Sequence, residues 1–336
     1  MSAKVNVGLV GTGGMGGRHA ANLNDSVAEA DVVAIMDVDA ARAEKVAARC
    51  GGAAVYGDAD ALIAAPEVDA ILIAAPDRFH AGIARSCVEA GKPVLCEKPL
   101  ATNVADAQRV VEAEVAGGRR LVQVGFMRQY DPAHVAVKEV SDSGEQGRAL
   151  VFRSVHNNPE KSAIRPLTDV VTNSLIHDIH SARWMMGEEI VRVQTAYIPS
   201  SPDHPESARF VMAQLQYRSG ALGTLECNSE AGYGYEVMVS ITGETGVAQT
   251  SPLQSPVVRH SNARRQWVEQ DWLQRFQVAY LNEAHAWVQS IVDGRAVGPS
   301  GWDGYVSILV ANACIESGLN RVPVDVEVPE RPALYG

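Results

Sequence analysis

Six residues near the start constrain the fold more than anything else in the chain: Gly11-Thr12-Gly13-Gly14-Met15-Gly16. They follow directly on Val5–Val10, an apolar run suited to a central parallel strand, and a helical pattern through Arg18, His19, Ala20 and Leu23 comes next. This is G-x-G-x-x-G in its strand–turn–helix setting. Gly11 permits the tight turn, Gly13 lets the backbone approach a pyrophosphate, and Gly16 lets helix and strand pack closely. Gly14 and Met15 lie at the helix start, whose free N–H groups and positive dipole end favour phosphate. A glycine turn alone is weak evidence. Here, however, the next expected strand (31–36) runs into Asp37, about 20 residues on, where an acid can hydrogen-bond adenosine ribose hydroxyls. Val38 follows, with no arginine beside it to accept a 2′-phosphate, so the pattern points to NAD rather than NADP.

The βαβ rhythm continues. Helix 40–50, strand 54–56, helix 60–64, strand 70–75, helix 81–90, strand 93–96, helix 103–117 and strand 121–125 complete a six-strand, doubly wound parallel sheet. Residues 1–125 therefore read as a Rossmann domain for NAD. In such sheets ligands bind beyond the carboxyl ends of the strands. One of those ends is Ala75-Pro76-Asp77-Arg78-Phe79-His80, where His80 either touches the cofactor or packs locally. Another is Val94-Leu-Cys-Glu-Lys-Pro-Leu100, which sets Glu97 and Lys98 at a strand end with Pro99 stiffening the exit. A lysine on that edge lies near where a nicotinamide would sit.

From residue 126 the rhythm changes. After a helix (132–143) come strand-like runs at 149–155, 190–198, 208–217, 221–227 and 235–242, separated by turn signals such as Ser219-Gly220. Residues 126–336 thus read as an α+β substrate-binding and oligomerisation domain on a large, mostly antiparallel open sheet. One face of that sheet covers helices and the other is free for a partner subunit, predicting a homo-oligomer, dimer or tetramer. Late helices are expected over 274–292 and 304–319. A helix over 171–186 carries Asn173, His177, His180 and Trp184 in one stripe at 100° per residue. Two histidines with a tryptophan suggest a pocket. His-x-x-His here lacks the glutamate of H-E-x-x-H and any nearby thiolate, so no metal is expected.

Composition bounds the partners. At 336 residues the chain exceeds one hydrophobic core, and a formal charge of −11 disfavours nucleic acid. Cys50, Cys87, Cys96, Cys227 and Cys314 are scattered without C-x-x-C spacing, as in a cytoplasmic protein with reduced thiols. Apolar runs are too short for a membrane span, and Met1-Ser-Ala-Lys-Val-Asn-Val shows no signal-peptide pattern.

With these pieces placed, the chain resembles the glucose–fructose oxidoreductase / inositol dehydrogenase / rhizopine-catabolism (Gfo/Idh/MocA) family nearly end to end. The markers are the glycine fingerprint, Ala75-Pro76-x-x-x-His80, Gly91-Lys92-Pro-Val-Leu-Cys-Glu97-Lys98-Pro99-Leu and Gln123-Val-Gly-Phe-Met-Arg-Gln-Tyr-Asp-Pro132. Ala279-Tyr280-x-x-Glu283 and Trp302-Asp303-Gly304 are similar too. His156-Asn-Asn-Pro159 and Thr172-Asn173-Ser-Leu-Ile-His177-Asp look most like the inositol 2-dehydrogenase branch. The resemblance implies a nicotinamide-dependent dehydrogenase acting on a secondary hydroxyl of a cyclitol or sugar, with Lys98 and His177 in the chemistry. It also implies a substrate site including Met127, Arg128, His156, Asn157, Asn173 and Trp184.

Three positions depart from that branch: Asn173 stands for its usual aspartate, Asn157 for an arginine, and His180 for an acid. They leave the reaction class intact and open the substrate to an aminocyclitol, an aminoglycoside-biosynthesis intermediate or a sugar glycoside. A non-catalytic NAD(H) sensor is the reading from a different class, and the presence of both Lys98 and His177 argues against it. A histidine titrates near neutrality without help, whereas a lysine base needs its pKa lowered by about 3 units. His177 is therefore the expected base, Lys98 its electrostatic partner at the reacting oxygen, and Asn173 a positioning group.

Overall fold

The computed structural model describes residues 4–159, 164–251 and 257–336; the first three residues of the N-terminal stretch lie outside them. The chain forms two compact units. In the first, β1 (Val5–Val10), β2 (Ala30–Met36), β3 (Ala54–Tyr56), β4 (Ala70–Ile73), β5 (Val94–Glu97) and β6 (Val122–Gly125) form one sheet in the order β3-β2-β1-β4-β5-β6. Every pairing is parallel. The helices between them are α1 (Gly14–Ser26), α2 (Ala40–Arg49), α3 (Ala59–Ala64), α4 (His80–Glu89) and α5 (Val104–Gly117). β4, β5 and β6 are buried along their whole length, which is why they read as continuous apolar runs rather than alternating ones. The strand order reverses between β1 and β4, and Gly11 and Ala74 leave the sheet side by side there.

In the second unit α6 (Pro132–Ser143) precedes β7 (Ala149–Pro159), followed by α7 (Leu167–Val170) and α8 (Ile176–Met186). Then come β8 (Ile190–Ile198), β9 (Phe210–Tyr217), β10 (Leu222–Ala231), β11 (Glu236–Gly243) and β12 (Val247–Gln249). A small hairpin of β13 (Val258–His260) and β14 (Ala263–Arg265) stands apart, and β15 (Val324–Asp325) closes one sheet edge. The seven-stranded sheet runs β12-β11-β7-β10-β9-β8-β15; only β7 and β10 pair in parallel. Burial alternates along β9, β10 and β11, so one face is covered and the other open. The covered face meets α8, where Tyr217 Oη donates to the Ala182 carbonyl.

Two differences from the periodicity reading matter. The helix expected over 171–186 is regular only from Ile176; Val171–Leu175 form a π-helical turn after α7. Periodicity at 100° per residue cannot register such a turn, because the extra residue per turn leaves no compositional mark. The last helices are α9 (Trp272–Arg275), α10 (Gln277–Val292) and α11 (Gly301–Asn320). α11 starts three residues before expectation because Ser300 and Asp303 form a reciprocal cap, Ser300 N and Oγ donating to Asp303 Oδ2 and Asp303 N to Ser300 Oγ.

The units are not contiguous halves. The first takes in residues 278–308 and 329–336 besides those through Met127. Ala284, Trp287 and Val288 of α10 share one hydrophobic cluster with Val7, Leu9, Leu23 and Leu95. An amphipathic pattern says that a helix buries one face, but not against which sheet. Among the described residues no helix is long and apolar enough to cross a membrane.

Candidate active site

The glycine loop is tight inside and open outside. Gly11 has φ +93°, and a Cβ there would lie 2.5 Å from the Ala74 carbonyl oxygen. At Gly16 a Cβ would lie 1.9 Å from the Gly11 carbonyl oxygen, whereas at Gly13 and Gly14 it would meet nothing within 4 Å. Gly13 caps α1 without a side-chain hydrogen bond, so the N–H groups of the first turn keep their capacity for phosphate oxygens. These residues fit a dinucleotide.

Asp37 leaves β2 beside this loop. Its Oδ2 accepts from Thr12 N and Thr12 Oγ1, both at 2.7 Å, and its Oδ1 from Asp39 N at 2.9 Å. Burial pushes this carboxyl up, but the hydrogen bonds of Asp39, Thr12 and Arg42 outweigh it and hold the pKa at about 2. The arginine missing from the adjacent position comes from five residues on, Arg42 Nη2 reaching Asp37 Oδ1 at 3.1 Å. It lies in the first turn of α2, a spacing that inspection of position 38 does not sample.

At the end of β5, Glu97 is buried and its Oε1 lies 2.7 Å from His19 Nε2 of α1. Its Oε2 accepts from Lys98 N at 3.2 Å. Burial pushes the Glu97 carboxyl up; the His19 hydrogen bond and the His19 and Lys98 charges outweigh it, leaving the group below the usual range. A Cβ at Gly125 would sit 3.2 Å from both Glu97 Cα and Oε2, so the neighbouring strand carries glycine. His80 is 1% exposed, with Nδ1 2.8 Å from the Pro99 carbonyl oxygen and Nε2 2.7 Å from that of Ala75. Its ring thus links the exits of β4 and β5, which is the local-packing reading. Lys98 itself is half-buried.

Glu283 of α10 is fully buried, and neither carboxyl oxygen has a hydrogen-bond partner among the described residues. Burial, with the Glu97 charge added, drives its pKa well above the ordinary carboxyl value.

In the second unit α8 carries His177, 7% exposed, next to the fully buried Asp178. Asp178 Oδ1 accepts from Arg128 Nη1 and Ser154 Oγ, each at 2.5 Å, and Oδ2 faces His156 Nδ1 at 2.8 Å. Arg128 Nη2 also approaches His156 Nδ1, at 3.0 Å. One ring nitrogen cannot donate and accept at once. The carboxylate can only accept, so Nδ1–H donates to Asp178 and the Arg128 approach is electrostatic. Nε2 lies 3.5 Å from Tyr235 Oη. Burial pushes the Asp178 carboxyl up, and Arg128 and His156 more than reverse it, holding it far below the usual range.

The expected substrate residues divide accordingly. Arg128 and His156 are 1% and 3% exposed and bonded inward, forming a support beneath α8 rather than a surface. Asn157 Nδ2 donates to Tyr233 Oη at 2.6 Å and to Glu236 Oε2 at 3.2 Å. Asn173 Nδ2 donates to Asp169 Oδ1 at 2.6 Å. His180 Nε2 lies 3.3 Å from Gln129 Oε1, Trp184 is half-buried, and Met127 is 2% exposed. Periodicity missed Asp178, Ser154 and Tyr235. Asp178 had left a trace: an acid beside the apolar sector of its helix signals a buried partner.

Comparison with known proteins agrees with this geometry. Residues 5–126 match the GFO/IDH/MocA oxidoreductase family's NAD-binding Rossmann fold, and residues 167–326 its C-terminal alpha/beta domain. The chain is 46% identical to an inositol 2-dehydrogenase of Rubrobacter xylanophilus, covering 99% of this chain and 96% of that one. It is 43% identical to inositol 2-dehydrogenase 2 of Saccharopolyspora erythraea, over 98% of each. The myo-inositol dehydrogenase of Lactobacillus casei, solved with NAD(H) and myo-inositol, superposes with a TM-score of 0.95 at 32% identity, covering 99% of this chain and 100% of that one.

Proposed function

The chain belongs to the GFO/IDH/MocA oxidoreductase family, and on that footing we propose that it oxidises a ring hydroxyl of myo-inositol to the ketone. It is an NAD-dependent cyclitol dehydrogenase. The observation that carries the proposal is the union of an open, uncapped glycine loop after β1 with Lys98 at the end of β5 in the same sheet, in a chain similar throughout to inositol dehydrogenases.

NAD, when bound, supplies the hydride acceptor. His177 takes the hydroxyl proton as the C–H bond yields its electron pair, since an imidazole is the base nearest neutrality in this residue set. Lys98 keeps its charge and stabilises the oxygen as negative charge develops on it. Asn173 orients the substrate, and Trp184, Met127 and Asn157 shape the site. Arg128 and His156 act from beneath, by holding Asp178 and so the helix that bears His177.

NAD reduction measured with myo-inositol, scyllo-inositol, glucose and an aminocyclitol tests this reading. myo-Inositol should give the highest kcat/KM; a clear preference for the aminocyclitol would transfer the assignment to amino-bearing substrates. The open face of the second sheet exposes Ile198, Met212 and Leu222, which supports a homo-oligomer formed through it. Light scattering should give a dimer or tetramer. Five free, buried cysteines suit a reducing, cytoplasmic setting.

A further inference from the structure

Pro93 at the entry to β5 and Leu121 and Val122 at the entry to β6 border a cavity of about 560 Å³, on the sheet edge opposite the glycine loop and Lys98. That volume is in the range that holds a small molecule. Three arginines stand around it. Arg119 and Arg120 follow the left-handed Gly118 cap of α5, and Arg295 follows the end of α10. Elsewhere in the same unit arginines meet carboxylates: Arg42 with Asp37, Arg85 with Glu89 and Arg109 with Asp106. Arg119, Arg120 and Arg295 form no ion pair among the described residues, in a chain whose formal charge is −11.

The buried acid beside them is already committed. Glu114 Oε1 accepts from Leu121 N at 2.6 Å and Val122 N at 2.8 Å, and its Oε2 accepts from Tyr335 Oη at 2.8 Å. Arg120 uses Nη2 to hold the turn after α10, donating to the Val297 carbonyl at 3.1 Å and to that of Gly298. Its Nε is buried without a partner among the described residues. Gln123 also borders the cavity and is 3% exposed, and neither end of its amide has a partner among the described residues. Buried amides are ordinarily hydrogen-bonded, so one left over at a cavity wall points to a ligand. The C-terminal ends of α5 and α10 offset about half an elementary charge each, against three full charges, so the rim stays positive even beside Glu114.

We propose that this cavity binds a small phosphorylated metabolite, its phosphate or diphosphate held by Arg119, Arg120 and Arg295 and its body lying toward Gln123 and Trp287. Guanidinium forks match phosphate oxygens in pairs and stay charged at any working pH, which favours a doubly charged phosphate over a single carboxylate. So acidic a chain disfavours a nucleic-acid strand there. The site lies wholly within the first unit and stands whether or not the chain oxidises a cyclitol.

Inorganic pyrophosphate is the probe, titrated by calorimetry into the full-length enzyme saturated with NAD, so that the glycine loop is already occupied. One equivalent should bind with a Kd of about 100 μM or tighter. Arg119→Gln/Arg295→Gln, which alters two exposed side chains, should weaken binding at least about tenfold, since charge-assisted hydrogen bonds are the strong ones. Arg85→Gln, an arginine of the same unit away from the cavity, should bind the probe as the parent does. Malonate, a dicarboxylate of similar size, should bind at least about tenfold more weakly than pyrophosphate. Failure to saturate below about 5 mM, an affinity unchanged in Arg119→Gln/Arg295→Gln, an equal loss in Arg85→Gln, or malonate binding as tightly as pyrophosphate would each overturn the proposal.

Discussion

His19 Nε2 lies 2.7 Å from Glu97 Oε1, joining the helix that starts at the glycine loop to the strand end that presents Lys98. The two side chains are 1% and 9% exposed, so this is a buried polar tie rather than a surface pair. Glu97 receives a second hydrogen bond from the backbone N–H of Lys98, which extends the tie to the peptide of Lys98 itself.

His19→Ala should therefore destabilise the enzyme by about 3–5 kcal/mol, because it strands a buried carboxylate. His19→Gln, which retains an N–H donor, should recover part of the loss in urea unfolding. The Glu97 pKa is lowered on folding, so its stabilisation is present above the ordinary carboxylate pKa and is lost as pH falls through the folded value. The parent should accordingly lose more stability than His19→Ala on acidification below that range.

Asp37→Ala should change the cofactor preference. Removing a charged acceptor of ribose hydroxyls should lower kcat/KM with NAD about 10- to 100-fold. The same change releases Arg42, now 3.1 Å from Asp37 Oδ1, to meet a 2′-phosphate, so activity with NADP should rise. Steady-state kinetics with both cofactors would show it, and a variant equally impaired with both would assign Arg42 no part in the discrimination.

Lys98→Met should lower kcat by about a hundredfold or more, since the charge at the reacting oxygen acts mainly in the transition state. The dissociation constant for NAD, measured by calorimetry, should stay near the parent value. Retention of most activity would remove Lys98 from the chemistry.

Asp178→Asn should cost about 3–5 kcal/mol by leaving the Arg128 charge buried without its counter-charge. The double variant Arg128→Met/Asp178→Leu should cost less than Asp178→Asn alone, because it buries no ion at all. Thermal and denaturant unfolding of the set would measure the difference. Equal or additive losses would mean that the pair is not coupled.

Glu283→Gln should flatten the pH dependence of stability. The folded pKa of Glu283 is raised, so its contribution is full below the unfolded carboxyl pKa, about 4.3, and declines as pH rises toward the folded value. That decline is at most about 1.4 kcal/mol per pH unit for one proton. Glutamine cannot ionise. The variant's advantage over the parent should therefore grow from pH 5 to pH 8 in melting experiments.

Much of the first unit was legible in the sequence because its signals are local. β4, β5 and β6 are buried along their whole length and β1 nearly so, which makes them short, mainly apolar runs, and the glycines of the loop answer contacts within a few residues of themselves or with the adjacent strand exit. Lys98 could be placed on the cofactor edge for the same reason, since a strand's direction in a parallel sheet follows from its rhythm. The alternating strands of the second sheet were also readable, β8 with its limits intact. The support of the site was not. His19 and Glu97 are 78 residues apart, Arg128 and Asp178 are 50 apart, and nothing near either partner names the other.

By itself, then, the sequence determined the order of the main elements, the dinucleotide loop and the acid at Asp37, and set Lys98 at a strand end and His177 on a helix. These depend on short-range periodicity and turn sterics, which the order of residues records directly. Only the tertiary structure decided that α10 joins the first unit's core, that a π-helical turn interrupts the helix before His177, and that Arg128 and His156 support Asp178 from within. Those outcomes depend on which distant groups share a buried space. In a low-dielectric interior a charge or a polar atom is tolerated only where the fold delivers its partner.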